Sequence, residues 1–222
     1  MESKMEADSV EVPEEFLQQS EFFNLTLTVE GRKLWVPKET LAMHSPVFRR
    51  ILSAESSWRE AQEANIDLPG KKMGDVVELL RLLVPTPLLG SVKKENVDAL
   101  LGLADEWEMK VVAKFCEDFL LTQLAEFKSG DEQLLELLVL SSKHRLNRLF
   151  TALLPKSLHL KPDQIAPYKD RLDPTLLSIL YEVSMAPPGP KPKLACRFCT
   201  ADYAKGCSCV GSLDASGFAA FL

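Results

Sequence analysis

The sequence is short of several things that would announce a function. It has no run of about 18 apolar residues, so no membrane-spanning helix is expected. Its first residues are acidic and lack an apolar core, so a secretory leader is not expected either. Basic residues are in deficit. Lys and Arg number 26 against 32 Asp and Glu, and the net charge is −6. Non-specific binding to nucleic acid therefore has no electrostatic support. Histidine occurs three times, as His44, His144 and His159, and none has a serine or cysteine partner at a catalytic spacing. No phosphate-cradling glycine loop and no paired-carboxylate motif is visible. These absences leave little for catalysis to stand on, and the chain reads as a non-enzyme. They also leave an intracellular setting, in cytoplasm or nucleus, as the expectation. Five cysteines there read as thiols or metal ligands rather than disulfides.

What is present is an ordinary globular composition, 46% hydrophobic and 26% charged over 222 residues. The acidic excess is concentrated. Residues 1–21 hold seven acids and one lysine. This arm is polar up to Pro13, which opens a short predicted helix, "PEEFLQQS". Phe16, Leu17 and Ser20 fall on one side of it, and little else in the arm could bury them within a single chain.

A change of periodicity follows. Leu25, Leu27 and Val29 alternate with Thr26 and Thr28, which predicts a half-buried strand. Glu30-Gly31 predicts a tight turn, and Leu34 and Val36 continue the alternation as a second strand. "ETLAMHSPVFRRIL" reads as helix, break, helix, with Ser45 as N-cap and Pro46 in the first helical position. "NIDLP" is a short third strand. Met73, Val76, Val77, Leu80 and Leu83 then recur at helical spacing. Val97, Leu100, Leu101 and Ala104 do the same, as do Val112, Phe115, Cys116 and Phe119. Strands first and helices after is an α+β pattern: a small three-stranded sheet flanked by a helical cluster.

From 125 to 185 the pattern is all helical. Ser129 and Glu132 form a capping-box signal ahead of the leucine-rich stretch Leu134–Leu140. Leu146, Leu149, Phe150 and Leu153 mark a second helix, and a third is expected over Pro174–Val183. Residues 186–194, "APPGPKPKL", carry four prolines and predict a stiff extended linker. The remaining residues, 195–222, are a cysteine-containing tail.

Two features stand apart from core building. The segment "SSWREAQEANIDLP" places Trp58 and Glu60 in a predicted loop before the third strand. Either Trp58 folds back on its own core, or Trp58 and Glu60 are presented to another protein. The tail holds Cys196-x2-Cys199 and Cys207-x-Cys209, seven residues apart. Four thiolates can close a tetrahedral zinc site, and C-x2-C is a good chelating knuckle; C-x-C is tighter and less usual. A redox pair and cysteines with no role are the other readings. No other cofactor is suggested. Cys116 falls on the apolar face of its helix and reads as a small buried hydrophobe.

The stretch "LTLTVEGRKLWVPKETLAMHSPVFRRIL" resembles the opening of the BTB/POZ domain family, with Lys38, Leu41, Ser45, Phe48 and Arg49 where the family motif places them. "NIDLP" resembles the family's third strand, and "ENVDALLGLADEWEMKVVAKFCEDFLL" is similar to its closing helix pair. The resemblance covers about residues 22–124 and is nearest to the MATH-associated or nematode-type members. The helices of 125–185 look like the short extension that follows many such domains. No Kelch or MATH pattern accompanies them.

The resemblance implies a non-enzymatic, dimerising interaction module, and beyond that a substrate adaptor of a cullin-RING ubiquitin ligase. It implies a homodimer interface involving Phe16, Leu17, Ser20, Asn24 and Lys38, and a cullin contact through Trp58 and Glu60. The rival readings are a dimeric scaffold that engages no cullin, and a metal-binding or redox protein acting through its tail. The chain departs from the family at Asn24, where aspartate is usual, and at Val84, where a cullin-touching tyrosine is common.

Overall fold

The computed structural model describes residues 11–53, 64–84, 90–128, 131, 133–157 and 159–185. They fall into two compact units, one ending at Cys116 and the other beginning at Glu117.

In the first unit, β1 (Leu25–Val29) and β2 (Arg32–Val36) form an antiparallel hairpin in which Leu27 faces Leu34. The turn is Glu30-Gly31, with φ of 50° and 74°. Two positive φ values match the twist of the flanking strands, and glycine supplies one of them without strain. β3 (Asn65–Asp67) joins the other edge of β1 in parallel, giving the order β2-β1-β3. β1 is therefore the central strand. That corrects the half-buried expectation: Thr26 is buried along with Leu25, Leu27 and Val29.

The described residues between β2 and β3 form α1 (Lys38–His44) and α2 (Pro46–Ile51). Ser45 separates them as expected. Its Oγ accepts from the Phe48 amide at 3.1 Å and donates to the Trp107 carbonyl at 2.6 Å, so one buried hydroxyl is used in both directions. Phe48 then lies against Trp107, with ring centroids 5.1 Å apart. α3 (Met73–Leu83) buries its predicted face. Its first amide, Met73 N–H, is capped by Glu30 from the hairpin turn at 3.0 Å.

α4 (Val97–Glu106) and α5 (Lys110–Leu124) meet at a tight corner. Glu108 takes a φ of 53°, the Met109 amide donates to Ala104 O, and the Glu108 amide donates to Asp105 O. This pair of bonds is a Schellman motif, which satisfies the last carbonyls of a helix. Of the predicted inward positions of α5, Val112 and Cys116 are buried, Phe119 is half-buried and Phe115 is 42% exposed.

The second unit is helical among its described residues. α6 (Gln133–Lys143) and α7 (Asn147–Ser157) repeat the same corner. Arg145 has a φ of 54°, Leu146 donates to Ser141 O, and Arg145 donates to Ser142 O. The buried positions also repeat. Ala104, Trp107, Met109, Val112 and Cys116 of the first corner correspond in spacing to Ser141, His144, Leu146, Leu149 and Leu153 of the second, and all ten are buried.

Glu117, a buried carboxylate, caps α7 by accepting from the amides of Arg148 at 2.8 Å and Leu149 at 3.1 Å. Lys156 in turn caps the end of α5 through the carbonyls of Leu124 and Phe127. α8 (Pro162–Ile165) and a 3-10 turn, Ala166–Tyr168, precede α9 (Pro174–Met185). Arg171 grips Glu136 with two hydrogen bonds and holds its carboxyl below the usual range. The predicted capping box at Ser129 and Glu132 lies outside the described residues.

Candidate protein-interaction surfaces

The leading arm is a single 3-10 turn, Glu14–Phe16, not the longer helix that "PEEFLQQS" suggested. The expectation that Phe16 has no home in its own chain is also corrected. It is 0% exposed, its ring centroid lies 6.0 Å from that of Phe23, and it belongs to the core. With Phe16 inward, the large apolar side chains left outward are Leu17, 48% exposed, and Phe22, 72% exposed. Ser20 is exposed and closes a small turn, accepting from the Phe23 amide through its Oγ and donating its own amide to the Phe23 carbonyl. The arm is thus pinned at Phe16 and presents apolar side chains from a defined turn.

Asn24 and Lys38, paired by the resemblance, do come together. The contact is between the Asn24 side-chain oxygen and the Lys38 backbone amide, at 3.1 Å. Asparagine supplies the acceptor that opens α1 without bringing a charge into a half-buried site. Sequence reasoning missed Phe22 and Met43, which are among the large apolar side chains left exposed. An aromatic beside a short turn and a methionine at the end of a short helix carry no periodic signal.

Trp58 and Glu60 lie outside the described residues, as do Cys196, Cys199, Cys207 and Cys209. Val84, at the end of α3, is buried, and its amide bonds back to Leu80 O. That position therefore offers no side chain to a partner.

The chemistry available elsewhere is limited. Cys116 is buried, and burial pushes its thiol up to about 12, far from a reactive thiolate. Among the described residues, no three His, Cys, Asp or Glu side chains are grouped to hold a metal ion. A groove of about 520 Å³ lies between the hairpin turn and the loop after β3, lined in part by Glu30, Asp67 and Lys71. Glu30 is already committed to α3, and Lys71 is ion-paired with Glu106. No helix among the described residues is long and apolar enough to cross a membrane.

A small mixed sheet set into helices, with an anchored arm displaying apolar side chains, defines an interaction domain. The BTB/POZ domain family model matches residues 14–124, half of the chain, and the chain belongs to that family. The match takes in the Phe16 turn as well as the sheet and the closing helices. Two curated relatives from Caenorhabditis elegans are similar to it. BTB and MATH domain-containing protein 38 is 30% identical over 122 residues, covering 53% of this chain and 30% of that protein. BTB and MATH domain-containing protein 36 is 28% identical over 131 residues, covering 59% of this chain and 38% of that protein. The chain thus spans about a third of the length of these relatives. BTB/POZ domains are protein–protein interaction modules.

Proposed function

We propose that this chain is a dimerising adaptor that brings a protein substrate to a cullin-RING ubiquitin ligase. The observation that carries the reading is the family match over residues 14–124, together with an arm fixed by Phe16 that turns Leu17 and Phe22 to solvent. Exposed aromatic and aliphatic side chains on a rigid base suit a symmetric interface held by apolar burial. Leu17, Ser20 and the Asn24–Lys38 junction would lie at or near that interface. Trp58 and Glu60 would meet the cullin, with Trp58 as the buried anchor. One such anchor can carry about 2 kcal/mol or more of binding.

Light scattering at tens of micromolar should give a dimer that is little disturbed by salt, and Leu17→Asp with Phe22→Asp should give a folded monomer. Trp58→Ala with Glu60→Ala should abolish cullin co-purification while the dimer persists. A folded double mutant that still retains cullin would sink the adaptor reading. The second reading, a dimeric scaffold without a cullin, is favoured by the burial of Val84, which removes one partner contact. A wild-type dimer that captures no cullin selects it.

A further inference from the structure

We propose that the outer edge of β2 is a docking edge for an extended acidic segment of a partner protein, which joins the sheet as a further strand beside Lys33 and Trp35. It requires neither a dimer nor a cullin.

The register fixes which backbone groups are free. Successive residues of a strand turn their N–H and C=O to opposite sides. The Thr26 amide donates to Ala64 O and the Thr28 carbonyl accepts from the Leu68 amide, so these two residues of β1 face β3. Leu25, Leu27 and Val29 therefore face β2, opposite Val36, Leu34 and Arg32. The amides and carbonyls of Lys33 and Trp35 are left pointing away from β1. β2 ends the strand order, and no described residue hydrogen-bonds to these groups. The leading arm packs near β2, but its amides close within the arm, Leu17 on Glu14 O and Ser20 on Phe23 O, so it adds no strand. An open edge of this kind is a template for an extended chain.

The side chains state the chemistry of the occupant. Leu34 and Val36 are buried, so Lys33 and Trp35 lie on the other face, Lys33 exposed and Trp35 half-buried. Arg32 is exposed beside the turn. Neither Arg32 nor Lys33 is ion-paired with a described residue. The neighbouring acid, Glu30, is committed to the Met73 amide. The edge is thus locally basic in a chain of net charge −6. An acidic side chain on the same face of an added strand lies directly across from Lys33, where opposite charges attract and like charges repel. A second copy of this chain would bring two more cations to the edge and gain no such pairing.

The probe is a fluorescent peptide of about eight residues, glutamate alternating with valine, titrated with full-length protein. Saturable anisotropy is expected, with NMR amide shifts centred on Lys33 and Trp35. A lysine–valine peptide of the same length should bind at least about tenfold more weakly, as should the glutamate peptide N-methylated at its glutamates. Lys33→Pro removes one outward amide and spares the bonds to β1, because proline is tolerated on an edge strand. It should weaken binding at least about tenfold and leave the thermal melt in place. Lys33→Glu should weaken binding as much through charge, and Lys33→Arg should retain it. If Lys33→Pro does not fold, Lys33→Glu and the two peptides decide. No saturable binding below about 1 mM overturns the proposal. So does equal binding of the glutamate and lysine peptides, or undiminished binding to Lys33→Glu. A folded Lys33→Pro of lower mass in light scattering, with no peptide bound by the wild type, overturns it in favour of a second copy. Binding that appears only when residues 1–10 are deleted overturns it in favour of the chain's own acidic arm.

Discussion

The two helical corners of this chain share a backbone and differ in what secures them. Both end a helix in a Schellman motif with a non-glycine residue at positive φ, Glu108 in one and Arg145 in the other. Both bury side chains at matching positions on either side. In the first corner the residue at the turn is Trp107. It packs at a tilt against Phe48, and its carbonyl accepts the Ser45 hydroxyl. In the second corner that place is held by His144, and the Glu117 carboxylate caps the start of α7. The same bend is thus stabilised by apolar packing in one case and by a charged cap in the other. The spacing of buried residues specifies the bend, and the identity of one or two side chains decides how it is held.

The comparison breaks most visibly at Trp107. Trp107→Ala is expected to cost about 3–5 kcal/mol, because it removes a buried aromatic and its partner surface on Phe48. Urea unfolding measures it, and a loss below about 1 kcal/mol would show that packing does not hold the first corner.

Next in size is Glu117→Ala. It leaves two amides of α7, one buried and one part-buried, without an acceptor, an effect of about 2 kcal/mol. Hydrogen exchange should quicken at Arg148 and Leu149 and stay unchanged at Met109. Equal quickening at both corners would mean that the cap is not local.

The smallest expected change is a gain. Arg145→Gly should stabilise by up to about 1 kcal/mol, since glycine adopts positive φ without the Cβ penalty. Glu108→Gly should gain slightly less, because it also gives up a solvent-exposed ion pair with Arg50. Thermal melts of the two variants side by side order them.

Much of the fold was legible because it rests on local chemistry. Leu25, Leu27 and Val29 declare a strand, Ser45-Pro46 declares a helix start, and the helical periods of 73–83 and 97–106 reach the core as expected. What escaped was decided by distant neighbours. Alternation marks a strand but not its place in the sheet, so the burial of Thr26 could not be foreseen. Phe16 reads as an exposed arm residue until Phe23 returns to meet it. Glu117 reads as an ordinary surface acid on α5, because its partners come some thirty residues later. The α8 turn and the 3-10 turn after it are too short to show a period. Of the candidate interaction residues, Asn24 and Lys38 were legible as a pair, although the contact proved to be with a backbone amide.

The strand order has a kinetic consequence. Leu27 pairs with Leu34 on one side and with Ile66 on the other. The second pairing closes a loop several times longer, which costs about 1.5 kcal/mol more in chain entropy. Pulsed hydrogen exchange during refolding should therefore find the hairpin amides protected before that of Leu68, which donates to Thr28 across the β1–β3 seam. A three-residue strand whose partner lies some forty residues earlier should be the last piece of the sheet to join and the first to let go.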